Sequence, residues 1–265
     1  MRDLTATLTA VSGILQRAGK DIIIPAYHTA VQSSIKADGS IVTETDLACQ
    51  LYIQQALEAF DSEIAFLGEE MTEDEQLNCL GHSKGRYWCL DPLDGTSNFM
   101  AHFPGFAISL ALIEDGIAQL ACIYDPVRQE TFTAIRGFGT YLNNHTVTAA
   151  QHDTIQHAVG FVDFKRLEPE LAIRLATQPN YRSQRNIGSC ALEWAWLASG
   201  RSQFIIHGGE KIWDFAAGSL LAAEAGCVVS DFDLTALFPS TTLSSSVLAA
   251  CNADIHTSLK LQMEN

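Results

Sequence analysis

Long hydrophobic runs are missing from this sequence. No stretch approaches the roughly 20 apolar residues that span a bilayer, and the opening residues, "MRDLTATLTA", lack the apolar core of a secretory signal. We therefore expect no insertion into a membrane. The composition is nevertheless apolar overall, with 47% hydrophobic and 18% charged residues, as is typical of a globular protein with a sizeable core.

Positive charge is scarce. The 265 residues include 16 Lys and Arg against 31 Asp and Glu, which gives a formal net charge of −15. Such a surface would repel a nucleic-acid backbone or an anionic membrane, so neither is expected as a direct partner. A small phosphorylated substrate remains compatible with this charge, because a bound metal ion can reverse the sign of the local field.

Cysteine motifs are also absent. The seven cysteines are scattered, mostly in apolar segments, with no CxxC pair and no Cys/His spacing of a zinc site. An odd number of dispersed thiols is typical of a reducing compartment, so we predict a cytoplasmic protein. Cys89 and Cys190 lie near the motifs described below, yet neither has the electropositive neighbours that activate a thiolate, and we interpret both as core residues.

Hydrophobic periodicity predicts helices in both halves of the chain. The first is indicated by apolar residues at helical spacing, namely Leu4, Leu8, Val11 and Leu15. A second is expected to begin at Thr43 or Thr45 and to run to about Phe60, with an inward face formed by Leu47, Leu51 and Leu57. Further helices are predicted at 169–176, 191–200 and 213–225.

Between these helices the pattern is that of strands. Strands are predicted at 64–68, 86–90, 106–113, 117–124, 130–135, 202–207 and 227–232, with a turn and a strand at 136–144. The polar stretches 33–40 and 71–85 are interpreted as a mobile loop and an irregular segment. We expect an α+β fold, in which mixed and antiparallel sheets are covered by helices in a layered αβαβα sandwich with two halves, 1–150 and 151–265.

One short stretch, "WCLDPLDGTSNF" at 88–99, places two carboxylates close together in a turn-forming frame. Pro92 fixes one dihedral and Gly95 permits close backbone approach, so Asp91 and Asp94 can converge at the end of a strand. By itself, such a segment is more often a solvated turn. Carboxylate oxygens are, however, suitable ligands for Mg²⁺. A helix that begins near Gly95 would add free N–H groups that can bind an anion.

Acidic residues elsewhere strengthen the metal interpretation. Glu69 and Glu70 follow a predicted strand, where an acidic pair is awkward unless a cation neutralises it. Asp214 stands at the start of a strongly apolar helix, where it can be a helix cap or a metal ligand. Asp46, in "VTETD", is by itself typical of the first turn of a helix.

Together these segments resemble the inositol monophosphatase family of Mg²⁺-dependent, lithium-sensitive phosphatases. The resemblance lies in "WCLDPLDGTSNFMAHFPGFAISLAL" and "WDFAAGSLLAAEAGCVVSD", with "VTETD" and "GEE" in the family's order, and it spans roughly residues 30 to 235. It implies a sugar-phosphatase-like fold, a homodimer and inhibition by Li⁺. It also implies hydrolysis of a phosphate monoester by direct attack of water, without a phosphoenzyme.

The resemblance also implies roles for individual residues. Two Mg²⁺ ions would be held by Glu69, Asp91, the Leu93 carbonyl, Asp94 and Asp214, with Asp91 bridging them. A third, weaker ion would bind through Glu69 and waters near Asp46. Catalysis is assigned to Glu69, Thr96 and Asp46, and phosphate binding to the N–H groups of Gly95 and Thr96. Lys36 falls on the loop expected to close over the site.

The alcohol part of the substrate is less well specified. In family members that hydrolyse inositol phosphates, an acidic residue seven positions before the motif aspartate receives inositol hydroxyls. The corresponding residue here is His207, which is a substrate-contacting or a structural residue. Gly188, Ser189 and Cys190 are expected to touch the alcohol. We predict an inositol-1-phosphate-like substrate, with histidinol phosphate, a sugar bisphosphate and a phosphoadenosine nucleotide as alternatives.

A hypothesis of a different class is a mainly non-catalytic role as a protein partner. Some similar bacterial proteins act in complexes with RNA polymerase. Since the charge of −15 makes direct RNA binding unfavourable, that role would require a basic protein partner.

Overall fold

The computed structural model describes residues 3–29, 33–35, 41–81, 85–151, 154–240 and 242–264. The helices are, in chain order, α1 (Leu4–Ala18), α2 (Ile24–Tyr27), α3 (Glu44–Phe60), α4 (Glu73–Gly81), α5 (Thr96–Met100), α6 (Pro169–Thr177), α7 (Cys190–Ala198), α8 (Ile212–Glu224) and α9 (Ala253–Glu264). A π-helical turn (Gly19–Ile23) joins α1 to α2, and 3₁₀ turns lie at Ile155–His157 and Phe164–Arg166.

The strands form two large sheets and one short pair. They are β1 (Ser33–Ile35), β2 (Ile41–Thr43), β3 (Ala65–Gly68), β4 (Arg86–Asp94), β5 (Ala107–Glu114), β6 (Ile117–Asp125), β7 (Glu130–Ile135), β8 (Thr140–Leu142), β9 (His145–Val147), β10 (Val159–Asp163), β11 (Ser183–Arg185), β12 (Phe204–Lys211), β13 (Val228–Ser230) and β14 (Ser244–Ala250).

Strand order differs between the two large sheets. The first runs β3-β4-β5-β6-β7-β8-β9 and is antiparallel except for the parallel pair β3–β4. The second runs β11-β10-β12-β14-β13, with β11, β10 and β12 parallel and β14 antiparallel to both its neighbours. Strands β1 and β2 form a separate antiparallel pair.

Alternation along β4 shows how the layers form. Trp88 and Leu90 pack with α1 and α3, whereas Tyr87 and Cys89 pack in the cluster that contains α7 and α8. Because successive side chains of a strand point to opposite faces, the first sheet is covered on both sides. Helix α8 also contacts β12 and β13 of the second sheet, whose other contacts include α9. This confirms the predicted αβαβα layers.

Tight packing fixes the position of α8 against α7. A Cβ atom on Gly218 of α8 would lie 2.3 Å from Cγ of the Trp194 indole. The indole itself is fully buried. Any larger residue at this position would overlap the indole, so glycine is what allows α8 to pack this closely against α7.

Three parts of the fold differ from the sequence-based predictions. Residues 73–81 form α4 rather than an irregular segment, because Thr72 and Glu75 make reciprocal hydrogen bonds at its start and the acidic first turn suits the helix dipole. Residues 33–35, predicted as loop, form β1, while 36–40, including Lys36, lie outside the described residues. The prediction also contained no counterpart of several other elements, namely α2, α9, β2, β9, β10, β11 and β14.

The prediction of which residues form the inward face of α3 was also wrong in part. Leu47 and Leu51 are 51% and 56% exposed, and only Leu57 of the predicted set is buried. The buried face instead carries Asp46, Cys49, Gln50 and Ile53. The capping residue Thr43 donates hydrogen bonds to the Asp46 carboxylate, which lies on this buried face.

No helix of the described segments is long and apolar enough to cross a bilayer. All seven cysteines fall in these segments and are free thiols. The division into halves at residue 150 stays a prediction.

Candidate metal and phosphate site

The aspartate turn lies at the end of β4, in the middle of the first sheet. Asp91 pairs with Ser109 and Asp94 pairs with Ala107. An advance of three residues along β4 is therefore matched by an advance of only two residues along β5. This bulge bends the strand and re-aims its side chains. Both carboxylates are buried, at 2% and 8% exposure. Asp91 Oδ1 accepts a hydrogen bond from the Leu93 N–H at 2.9 Å, which holds its carboxylate at the turn.

Asp214 reaches the same point from the second half of the chain. It occupies the third position of α8, where its Oδ2 accepts a hydrogen bond from the Lys211 N–H at 2.9 Å. Asp91, Asp94 and Asp214 each place a carboxylate oxygen within 4.8 Å of the others. Asp214 is therefore a helix cap and a candidate metal ligand at once, since one oxygen caps the helix and the other remains available.

Glu69 joins these carboxylates through β3, which is parallel to β4. Its N–H donates to the Leu90 carbonyl at 3.1 Å, which places it beside the turn. Burial and the charges of Glu69 and Asp94 raise the pKa of Asp91 well above its ordinary value. Burial and the same two charges raise the pKa of Asp214. Neighbouring negative charge therefore adds to burial in disfavouring ionisation of Asp91 and Asp214.

The donor set fits Mg²⁺. All candidate ligand atoms are oxygens, from carboxylates and from the buried Leu93 carbonyl. Hard oxygen ligands are the ones that Mg²⁺ prefers, and a divalent cation would relieve the repulsion among the buried carboxylates.

Asp94 is held by the N-terminus of α7. Its Oδ2 accepts hydrogen bonds from the Ser189 hydroxyl at 2.5 Å and from the Ala191 N–H at 2.7 Å. Ser189 is also the N-cap of α7. A ligand from one half of the chain is thus oriented by a helix from the other. The next residue, Cys190, is half-buried rather than part of the core. Burial and the charge of Glu210 raise the pKa of its thiol, which disfavours a reactive thiolate.

Asp46 and Thr96 form a hydrogen-bonded pair beside the aspartate turn. The Thr96 hydroxyl lies 3.0 Å from Asp46 Oδ1 and 3.1 Å from the Leu93 carbonyl oxygen. The other Asp46 oxygen accepts from the Thr43 N–H at 2.9 Å and from the Thr43 hydroxyl. Burial raises the pKa of Asp46, and the hydrogen bonds from Thr43 oppose that rise.

Three backbone segments meet at Gly95. Its φ is +92°, and an added Cβ would lie 2.7 Å from the Gly105 carbonyl oxygen and 3.2 Å from that of Gly188. The Asn98 amide nitrogen donates to Gly105 O at 2.6 Å and to Ile187 O at 2.7 Å. Since the first donors inside α5 are the N–H groups of Asn98 and Phe99, those of residues 95–97 lie outside its ladder.

Sequence reasoning missed several residues that position this site. Asn98 and Glu193 hold the 187–188 segment, the latter through its Oε1, which accepts the Ile187 N–H at 2.7 Å. Asn98 stands within the quoted motif, but nothing local indicates its partner 89 residues away. His207, predicted to face the alcohol, is buried and lies 3.5 Å from Asp163.

The comparisons with known proteins agree with this geometry. A model of the inositol monophosphatase family matches residues 4–263. The chain belongs to that family. The Nus factor SuhB of Escherichia coli K12 is 35% identical over 223 residues, which is 82% of each chain. Inositol monophosphatase 1 of tomato (Solanum lycopersicum) is 32% identical over 235 residues, 83% of this chain and 84% of its own.

Solved structures show the same fold. The IMPase of Thermotoga maritima superposes with a TM-score of 0.84 at 25% identity, covering 98% of this chain and 96% of its own. The extragenic suppressor protein suhB of Bartonella henselae gives the same TM-score and identity, covering 98% and 99%. The resemblance inferred from the motifs is confirmed at the level of family and fold.

Proposed function

We propose that this chain is an Mg²⁺-dependent phosphomonoesterase that releases inorganic phosphate from a small, inositol-1-phosphate-like ester. The observation that carries the proposal is the convergence of Asp91, Asp94 and Asp214, drawn from two distant segments, to within 4.8 Å. Two buried carboxylates and a half-buried one at that separation are unfavourable without a cation, and this arrangement is typical of metal-assisted phosphate chemistry.

Mg²⁺ would be held by Glu69, Asp91, the Leu93 carbonyl, Asp94 and Asp214. We propose that Asp91 would contribute to the binding of two ions, and that Glu69 would help to hold a third, weaker one near Asp46. When bound, these ions supply an activated water and neutralise charge on the phosphate and the leaving alcohol.

The chain's own residues then orient the attacking water. Asp46 Oδ1 accepts the proton of the Thr96 hydroxyl at 3.0 Å, which leaves the lone pairs of Thr96 Oγ1 free to accept a hydrogen bond from water. Glu69 lies at the same cluster and assists in this orientation. The N–H groups of Gly95 and Thr96, which lie outside the α5 ladder, would donate hydrogen bonds to the phosphate oxygens. Asn98 and Glu193 keep the opposite wall, residues 187–188, in position.

The test of this proposal is phosphate release by the purified protein. The substrates are myo-inositol 1-phosphate, β-glycerophosphate, L-histidinol phosphate, a sugar bisphosphate, 3′-phosphoadenosine 5′-phosphate and p-nitrophenyl phosphate. Each is assayed after chelation and after Mg²⁺ is restored. We expect turnover of at least one physiological ester only with Mg²⁺, and its inhibition by Li⁺. Failure of the Mg²⁺-loaded protein on every substrate would overturn the proposal.

A second candidate is a role as a protein partner in the cytoplasm. It is favoured by the name "Nus factor" given to the 35%-identical bacterial relatives. Cells that lack this protein would be complemented with the wild type and with Asp94→Asn. Full rescue by a variant without phosphatase activity would favour the partner role, whereas failure of rescue would favour catalysis. The proposed homodimer is checked by sedimentation of the purified chain.

A further inference from the structure

A second pair of titratable side chains lies at the carboxyl end of the parallel strands, outside the carboxylate cluster. Asp163 ends β10 and is paired in register with His207 of the parallel strand β12. Beyond His207, β12 continues into α8, which carries Asp214. In open sheets, ligands bind beyond the carboxyl ends of parallel strands. Asp163 and His207 therefore lie at the edge of the sheet that leads to the metal site.

Electrostatic coupling connects Asp163 with the metal site. Glu193 of α7 is buried, and its pKa is raised to about 8 by burial, with further contributions from the charges of Asp94 and Asp163. Both aspartates thus act on one side chain from the two halves of the chain. Glu193 in turn holds the 187–188 segment, which contacts Asn98 of the phosphate-side motif. Asp163 and Asp94 therefore both lie close enough to Glu193 to act on its carboxyl group.

Neither ring nitrogen of His207 is available to accept a hydrogen bond from a substrate. The ring is 5% exposed, and its Nδ1 accepts a hydrogen bond from the Gly209 N–H at 3.1 Å. This contact assigns the proton of the neutral ring to Nε2, which faces Asp163 Oδ2 at 3.5 Å. An added Cβ on the next residue, Gly208, would lie 1.8 Å from the Arg166 carbonyl oxygen, so this part of β12 is fixed against the 3₁₀ turn that follows Asp163.

Asp163, in contrast, keeps free acceptor positions. Its side chain is 20% exposed. One oxygen accepts a hydrogen bond from the Lys165 N–H at 3.0 Å and the other faces His207. An ionised carboxylate offers about four acceptor positions, so this one can take further donors. The hydrogen bond from His207 lowers the pKa of Asp163, which keeps the group ionised at neutral pH.

We propose that Asp163, oriented by His207, selects the alcohol part of the substrate by accepting a hydrogen bond from its hydroxyl or ammonium group. This inference rests on the proposed phosphatase function and extends it. Asp163 is the specificity-determining residue and His207 a positioning residue. The acceptor that sequence reasoning sought at position 207 is then supplied by the neighbouring strand, at the residue directly in register.

The test compares esters with and without donors on the alcohol. Myo-inositol 1-phosphate carries hydroxyls, L-histidinol phosphate carries an ammonium group, and p-nitrophenyl phosphate carries no donor. We expect Asp163→Ala to raise KM for the preferred donor-bearing ester about tenfold, as for loss of one charge-assisted hydrogen bond. Values of kcat, and both constants for p-nitrophenyl phosphate, should stay within about twofold.

Conservative variants identify the donor and the part played by His207. Asp163→Asn keeps a carbonyl acceptor but loses the charge, so an ammonium substrate should suffer about as much as with Asp163→Ala, and a hydroxyl substrate less. His207→Gln retains an N–H donor and should keep most of the selectivity that His207→Ala loses. Asp254→Asn, an exposed aspartate on α9, is the matched control.

The outcomes separate this inference from the function on which it rests. No turnover of any substrate by the wild type would overturn both. Turnover of p-nitrophenyl phosphate without preference for a donor-bearing ester would overturn the inference alone. So would an unchanged selectivity ratio in folded Asp163→Ala, with only a lower Tm, since that pattern belongs to a purely structural pair.

Discussion

At the residue scale, the three converging aspartates differ in what holds them. Asp91 is held by the Leu93 N–H within its own turn, Asp214 by the Lys211 N–H of its own helix, and Asp94 by groups from α7. In each case hydrogen bonds fix one oxygen and the other remains for a cation. Because one oxygen of each aspartate is held by hydrogen bonds, carboxylates that repel one another can keep a single arrangement without a bound metal ion.

The first prediction concerns Asp214. Asp214→Asn keeps the size of the side chain but removes a charged metal ligand, so turnover should fall by at least about 100-fold. A metal ion that binds only the folded state stabilises it, so we expect Mg²⁺ to raise the Tm of the wild type and to raise that of the variant less. Scanning calorimetry with and without Mg²⁺ checks this, with Asp254→Asn as control. An unchanged Mg²⁺-dependent rise would contradict the assignment.

The second prediction concerns the hydroxyl of Thr96. Thr96→Val preserves shape but removes the group that links Asp46 to the water, so kcat should fall by about 10²–10⁴-fold. Thr96→Ser should restore most of the activity because it returns the hydroxyl. Steady-state kinetics at saturating Mg²⁺ measure both. If valine leaves kcat within a factor of two of the wild type, the Asp46–Thr96 pair has no part in orienting the water.

At the scale of elements, α7 connects residues that are far apart in the sequence. Its N-terminus binds Asp94, and one turn later Glu193 fixes the 187–188 segment. The helix is apolar around most of its surface, with Trp194, Ala195 and Leu197 fully buried. Glu193 is therefore a titratable group enclosed in an otherwise apolar environment, which makes the stability of the protein depend on pH.

The third prediction follows from the pKa of Glu193, raised to about 8 by burial. An unfolded glutamate titrates near about 4.3, so between that pH and 8 the folded state binds more protons than the unfolded state. The free energy of unfolding should then decrease as pH rises through this window. Glu193→Gln removes this contribution while its amide oxygen can still accept the Ile187 N–H.

The measurement is the free energy of unfolding in urea at pH 5.5 and pH 7.5, for wild type and Glu193→Gln. The loss on going to the higher pH should be smaller in the variant. Glu168→Gln, at an exposed position, is the matched control and should follow the wild type. Equal losses in wild type and Glu193→Gln would show that Glu193 is not protonated in the folded protein.

At the scale of the whole molecule, the site depends on the central helical layer. Helix α7 orients Asp94, α8 carries Asp214, and Gly218 allows the two helices to pack closely. The cluster of carboxylates therefore depends on how α7 and α8 pack against the first sheet. Packing far from the carboxylates should for that reason affect Mg²⁺ binding.

The fourth prediction tests this dependence. Gly218→Ala places a Cβ about where the indole of Trp194 lies and should destabilise the protein by about 1–3 kcal/mol. It should also weaken Mg²⁺ binding, since α7 and α8 must move apart. Gly13→Ala in α1 is the matched control, because its Cβ would meet only the end of Arg17 at 3.4 Å, and it should be neutral or stabilising.

Denaturant unfolding and calorimetric Mg²⁺ titration measure the two effects. A Gly218→Ala protein that is destabilised but binds Mg²⁺ with unchanged affinity would show that the site does not depend on the spacing of these helices.

The sequence by itself determined the motifs and the elements that carry them. The turn at Asp91–Asp94 and the cap at Asp214 arise from local chemistry, in which proline and glycine shape the backbone and a carboxylate satisfies free N–H groups. Most helices and strands were predictable for the same reason, since periodicity records which face is buried. The start of α4 was not predicted, because its capping pair, Thr72 and Glu75, lies in a segment that contains several other acidic residues.

Only the tertiary structure decided which distant side chains meet. The hold of α7 on Asp94, the contact of Asn98 with the 187–188 segment and the pairing of Asp163 with His207 join residues between 44 and 95 positions apart. Strand order and helix packing bring such residues together, and local sequence patterns specify neither of them. The carboxylates that converge could be named from the sequence, whereas the residues that orient them required the fold.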